Sequence, residues 1–303
     1  MHRLWSIPEI VDEIVSFTEG EGRDSWAHTI KTYVGLATTA SLFSIPATRR
    51  LWARIDADAL WYLLFSLRGS DCHWKTTSDR VARYAFYEQF IRELFISEHD
   101  DILPELLQEY IAMTALRPCA ASTMPNLTRL CVTACGPKGD PEYNPPLSVS
   151  AHPVATLFLV PTLRTIVYMT YARQLEEDDC MEEATTFFEA IPIRCPSLTE
   201  LSIQGSSSLE VEASSYNPFA TNLSEITSDL PLLSSFSCPG WIISPRLLRS
   251  LGLHTQLTEL NLHYAAYDPN DPLHRLLQGR LHCRLLPGSP AFAGLIYPVH
   301  SCC

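Results

Sequence analysis

The sequence predicts an α/β solenoid, a curved parallel sheet with helices on its convex side, preceded by a small all-α module of three helices. Three observations predict it. A hydrophobic triplet of the form Leu-x-x-Leu-x-Leu occurs six times, at Ile91/Leu94/Ile96, Leu127/Leu130/Val132, Leu163/Ile166/Tyr168, Leu198/Leu201/Ile203, Leu233/Phe236/Cys238 and Leu257/Leu260/Leu262. The first positions, 91, 127, 163, 198, 233 and 257, are 36, 36, 35, 35 and 24 residues apart. Such a period marks units too small to bury an apolar face alone, which stack to bury it against their neighbours. The residues ahead of the first triplet carry helical spacing instead. The expected division is a head over residues 1–60, repeats over 61–270 and an irregular tail over 271–303, with no polar cap after Leu262.

In the head, Ser6 stands three residues before Glu9, the spacing of a capping box, and Pro8 fits the first helical turn. Trp5 and Ile10 can form a staple across that start. Ile7, Ile10, Val11, Ile14 and Phe17 make one apolar stripe. A second helical pattern runs from Ile30 through Tyr33, Val34, Ala37 and Ala40 to Phe43, and Pro46 is expected to end or kink it. A third contains Leu51, Trp52 and Ile55. The alternative for three short helices here is a cap sealing the solenoid.

Within the repeats, helical spacing is expected from Tyr84 to Phe90, Pro104 to Met113, Glu182 to Ile191 and Pro245 to Leu253, each beside a short strand. A period of 35 to 36 residues exceeds the usual leucine-rich length of about 20–29 and approaches the helical tetratricopeptide length of about 34. The prolines decide for strands. Pro125, Pro161, Pro196 and Pro231 stand just ahead of the first leucine position, where they end the crossover and are tolerated at a strand's start. The extra length is then loop, most clearly over residues 136–146.

Alternation along a strand assigns faces. If Leu94 and Ile96 point to the core, then Glu93, Phe95 and Ser97 point to the concave face. The same register exposes Arg129, Cys131 and Thr133; Thr165, Val167 and Met169; Glu200, Ser202 and Gln204; Ser235 and Ser237; and Glu259, Asn261 and His263. These residues are the expected binding surface for a protein substrate.

Composition narrows the function. Lys and Arg number 22 against 34 Asp and Glu, a formal charge of -12 that repels phosphate backbones and argues against nucleic acid as a ligand. The ten cysteines are scattered rather than arranged as a disulfide framework, so reduced thiols and a cytoplasmic or nuclear location are expected. No apolar run suits a membrane span and no leader is expected. The sequons at Asn126 and Asn222 read as chance. No phosphate loop, nucleophile elbow or zinc motif is present, so no cofactor, metal or catalytic residue is expected. The acidic run Glu176, Glu177, Asp178, Asp179, Glu182 and Glu183 reads as a solvated approach to a helix.

The run Trp5-Ser6-Ile7-Pro8-Glu9-Ile10-Val11-Asp12-Glu13-Ile14, with Leu36-Ala37 and Leu51-Trp52 behind it, resembles the F-box-like head of the fungal F-box proteins that carry leucine-rich repeats. The resemblance implies a module that docks on a Skp-type adaptor, and through it on a cullin-RING ubiquitin ligase, with Ile7, Pro8, Ile10, Ile14, Leu36 and Leu51 in or behind that interface. By the same resemblance the chain is a substrate receptor without catalytic residues. A leucine-rich-repeat scaffold with an N-terminal helical cap and no ubiquitin role is the alternative.

Overall fold

A computed structural model describes residues 26–39, 41–68, 77–97, 102–117, 123–134, 150–171, 178–206, 218–239, 242–263 and 281–284. Ile7, Pro8, Ile10 and Ile14, the first head helix and the 136–146 loop lie outside the described residues. The chain divides into two compact units, one formed by Met1–Leu94 with Gln108–Leu127, the other by Phe95–Leu107 with Thr128–Cys303.

The first unit opens with helices α1 (Trp26–Thr39) and α2 (Ser41–Ala53). They pack around buried Tyr33 and Ala47, with Leu36, Ala37, Phe43 and Leu51 half-buried against that pair. Pro46, expected to end or kink the second helical pattern, lies inside α2 and does not end it. Proline removes one amide donor and presses on the preceding turn; here the buried contact of Ala47 with Tyr33 outweighs that preference. Ile55, expected in the third helix, lies instead in strand β1 (Arg54–Asp56), where it is buried between two exposed neighbours. Asp56 accepts the Ala59 N–H at 2.8 Å and caps α3 (Ala57–Arg68), which runs straight through residue 60, the expected end of the head.

Helix α4 (Thr77–Glu88) leads into β2 (Glu93–Ser97), and α5 (Leu103–Ala115) follows it. Where α4 ends, the first unit buries an ion pair. Glu88 is 2% exposed. Arg117 grips it with both arms, Nη1 donating to Oε1 at 3.1 Å and Nη2 to Oε2, while the Met124 N–H also donates to Oε1. The guanidinium lies 4.8 Å above the Tyr84 ring. Burial, the neighbouring Tyr110 and the Glu88 carboxylate push the Tyr84 hydroxyl well above its usual pKa. Met124 has φ 50°, a left-handed conformation that costs a side chain with a Cβ, and the Glu88 oxygen on its N–H helps hold it there.

The second unit repeats one pattern. Strands β3 (Arg129–Thr133), β4 (Thr165–Tyr171), β5 (Glu200–Ser206), β6 (Ser235–Pro239) and β7 (Glu259–His263) are parallel neighbours in chain order. Helices α6 (Ala151–Leu157), α7 (Asp178–Arg194), α8 (Pro218–Ser228) and α9 (Pro245–Gly252) fill the crossovers and pack each against the next. The acidic run therefore enters α7 at Asp178. The core between the layers is apolar and aromatic: Phe158, Tyr168, Phe187, Phe188, Leu223, Phe236, Leu247 and Leu251 are all buried. Ser244 caps α9 by accepting the Leu247 N–H at 3.1 Å, with Pro245 in the first turn.

Two devices recur along the strand entries. The first triplet residue closes a turn by donating its N–H three residues back: Leu127 to Met124, Leu163 to Val160, Leu198 to Cys195 and Leu233 to Leu230. Pro125, Pro161, Pro196 and Pro231 occupy the second position of those turns, for which their fixed φ is suited. They are turn residues and not strand residues, which corrects their expected role. The second device is a hydroxyl clasp. Thr199 Oγ1 donates to the Arg164 carbonyl at 3.0 Å, Ser234 Oγ to that of Thr199 at 3.0 Å, and Thr258 Oγ1 to that of Ser234 at 3.2 Å. Each clasp ties one repeat to the one before.

The expected irregular tail contains a strand, β8 (Leu281–Arg284), paired antiparallel with β7. It covers the sheet edge that β7 would otherwise leave open, an edge that invites pairing with other chains. Among the described residues no helix is long and apolar enough to cross a membrane.

Candidate protein-binding face

The core triplets are buried as their spacing predicts. All six first positions, Ile91, Leu127, Leu163, Leu198, Leu233 and Leu257, are at most 3% exposed, and Leu130, Ile166, Leu201, Phe236 and Leu260 lie behind them. The alternate residues of β3–β7 therefore stand on the other face, and the ladder sets them in rows. Arg129, Thr165, Glu200, Ser235 and Glu259 are successive register partners; so are Cys131, Val167, Ser202, Ser237 and Asn261. Thr133, Met169 and Gln204 begin a third row. Adjacent members of a row are one strand spacing apart, about 4.8 Å.

The rows differ in access. Arg129, Thr165, Glu200, Ser235 and Glu259 are half-buried. Cys131, Val167, Ser202 and Ser237 are only 4–7% exposed, so the expectation that this register exposes them is corrected. Short side chains at strand spacing shield one another between two flanking rows. A ligand on this face would meet the first row and the ends of the others. Its polar groups are already oriented: Thr165 Oγ1 donates to Glu200 Oε2 at 3.1 Å, and Asn261 Nδ2 to Glu259 Oε1 at 3.0 Å.

Phe95 of β2, in the second unit, is half-buried; in the first unit Glu93 pairs with the exposed Arg54 at 3.1 Å. Leu36 and Leu51 are brought together around Tyr33 and Ala47, half-buried rather than displayed. They stand behind a surface that exposes Val34 and Ile45.

One buried cluster has the residue types of a hydrolase site. His152 Nδ1 lies 2.7 Å from Ser150 Oγ and 3.8 Å from Glu183 Oε2, and its Nε2 lies 2.9 Å from the Tyr168 hydroxyl. The geometry is wrong for a relay. A base must take the nucleophile's proton on one nitrogen while the carboxylate orients the other; here serine and carboxylate address the same nitrogen. Burial pushes the His152 pKa down to about 4, so it is a neutral core residue. Ser150 caps α6, accepting the His152 N–H. Among the described residues no three His, Cys, Asp or Glu side chains are grouped to hold a metal.

The second unit is thus an α/β repeat array with an ordered, mixed polar and apolar face. No protein-family model matches the chain, and no curated protein matches it.

Proposed function

We propose that the chain is the substrate-receptor subunit of a Skp-cullin-F-box ubiquitin ligase, with leucine-rich repeats as its binding array. The head engages a Skp-type adaptor, and through it a cullin-RING ligase, in the cytoplasm or nucleus. The repeats hold a protein target, and the chain itself performs no chemistry. The observation that carries the binding role is the register of the open face, in which the first row runs unbroken across five strands. The adaptor role is supported by the Ile-Pro-Glu-Ile run together with the packed α1–α2 pair that gathers Leu36 and Leu51.

Co-expression of the full chain with a Skp adaptor tests this reading. A stable complex is expected, and changing Ile10 and Ile14 to Asp should abolish it, because burying unpaired charge there costs several kcal/mol, about 3. Failure of the wild-type chain to bind the adaptor would overturn the ubiquitin role and leave a repeat scaffold.

A further inference from the structure

We propose that the turn between α7 and β5, flanked by Arg164 and Arg194, docks an acidic segment of a protein partner, at a place separate from the open sheet face. Both arginines are exposed and both are held. Arg194, the last residue of α7, donates through Nη1 to the Thr156 carbonyl of the preceding repeat at 2.8 Å. Arg164, just before β4, donates through Nη1 to the carbonyl of Ser197 at 3.0 Å, inside the Cys195–Leu198 turn. Arg164 thus reaches the turn from the preceding repeat, while Arg194 adjoins the turn in sequence and reaches back to that repeat. Each is anchored by one arm and keeps further N–H donors, in the fork geometry that suits carboxylates.

Among the described residues neither arginine has an ion-pair partner, although acidic residues outnumber basic ones 34 to 22 in this chain. Glu189, one turn earlier on α7, is exposed and pairs with neither. Compensation of the helix dipole accounts for Arg194 alone. Arg164 lies on no helix, so a second reason is needed for its place. Beside Arg194, Ile193 is 82% exposed, although Ile191 two residues earlier is fully buried. Pro196 is exposed in the same turn. An apolar shoulder beside two anchored cations matches a segment that alternates aliphatic and acidic side chains. At the equivalent edge of the next repeat the exposed Asp229 reverses the charge and bounds the site.

The test uses the full chain and a short fluorescent peptide of Glu and Leu, with its Lys and Leu counterpart as control, followed by anisotropy. The Glu peptide should bind and the Lys peptide should not. Changing both arginines to Glu should weaken binding about tenfold or more, equivalent to about 1.4 kcal/mol. Arg164→Gln with Arg194→Gln keeps an amide donor for each carbonyl and removes the charge; it should abolish the salt dependence. Ile193→Ser should weaken binding, whereas Arg249→Glu, at another exposed arginine without an ion pair, should leave it unchanged. Absence of Glu-peptide binding, or equal loss from Arg249→Glu, overturns the proposal. None of these readouts involves the head, so they stand or fall apart from adaptor binding.

Discussion

Changing Arg117 to Met would strand the Glu88 carboxylate in the first unit. Both side chains are nearly inaccessible, at 5% and 3% exposure, so water cannot replace the lost bidentate contact. Breaking a buried pair on one side costs about 3–5 kcal/mol. The double variant Glu88→Leu/Arg117→Met should behave differently. Glu88 occupies the place, three residues before the first triplet position, that later repeats fill with Met124, Val160, Cys195 and Leu230, each at most 5% exposed. A leucine there gains about 1.5–3 kcal/mol of apolar burial. The Met124 N–H then loses its acceptor, at about 1–3 kcal/mol. These terms nearly cancel, so the double variant should lie within about 1 kcal/mol of the wild type, with a coupling energy of about 3 kcal/mol or more. Urea titration followed by tryptophan fluorescence suits the measurement, because Trp26, Trp52 and Trp61 belong to the first unit. A single variant that loses less than about 1 kcal/mol, or a double variant as unstable as the sum of the singles, would refute the argument.

Three further outcomes are expected. The folded pKa of His152, about 4, lies below its unfolded value near 6.5; its contribution is therefore complete above pH 6.5 and is lost as pH falls from about 6.5 to 4, by roughly 3 kcal/mol. His254 is shifted in the same direction, so the comparison is between wild type and His152→Phe: stability curves of equal steepness over that window would rule the contribution out. Phe187→Ala, which opens a hole beside Tyr168 and Phe188, should cost about 3–5 kcal/mol in thermal or urea unfolding. Burial pushes the thiols of Cys195 and Cys238 up to about 12, so both should resist iodoacetamide in the native protein and react once it is denatured; rapid native labelling by peptide mass would contradict their placement.

The triplets were legible because their positions are core positions in every repeat, save Leu262 of the last, which is half-buried, and because a period-2 strand assigns the opposite face once one face is known. What escaped the sequence had physical causes. Helix α8 hides its apolar stripe among hydroxyls: Thr227 and Ser250 face inward, and the Ser224 carbonyl accepts from Thr227, Ser228 and Ser250, so polar residues serve as core. Helix α6 carries Pro153 and a buried His152, neither of which signals a helix interior. Glu88 falls inside the helical spacing of Tyr84 to Phe90, which gives no sign of its burial. Aligning the repeats three residues ahead of each triplet would have found it, since a lone carboxylate in a column otherwise filled by Met124, Val160, Cys195, Leu230 and His254 requires a partner. The near-burial of Cys131 and Ser202 was not legible at all, because it depends on how closely neighbouring strands bring their short side chains together.

The hydroxyl clasps separate spacing from length. Between Leu233 and Leu257 the repeat shortens to 24 residues, yet Thr258 reaches the Ser234 carbonyl as Ser234 reaches Thr199 across a repeat of 35. Crossovers can thus differ in length without changing the strand-to-strand register, the beat of the array. A single residue inserted within a strand has the opposite effect, turning every side chain beyond it over. Variation in such a molecule is free between the beats and forbidden on them.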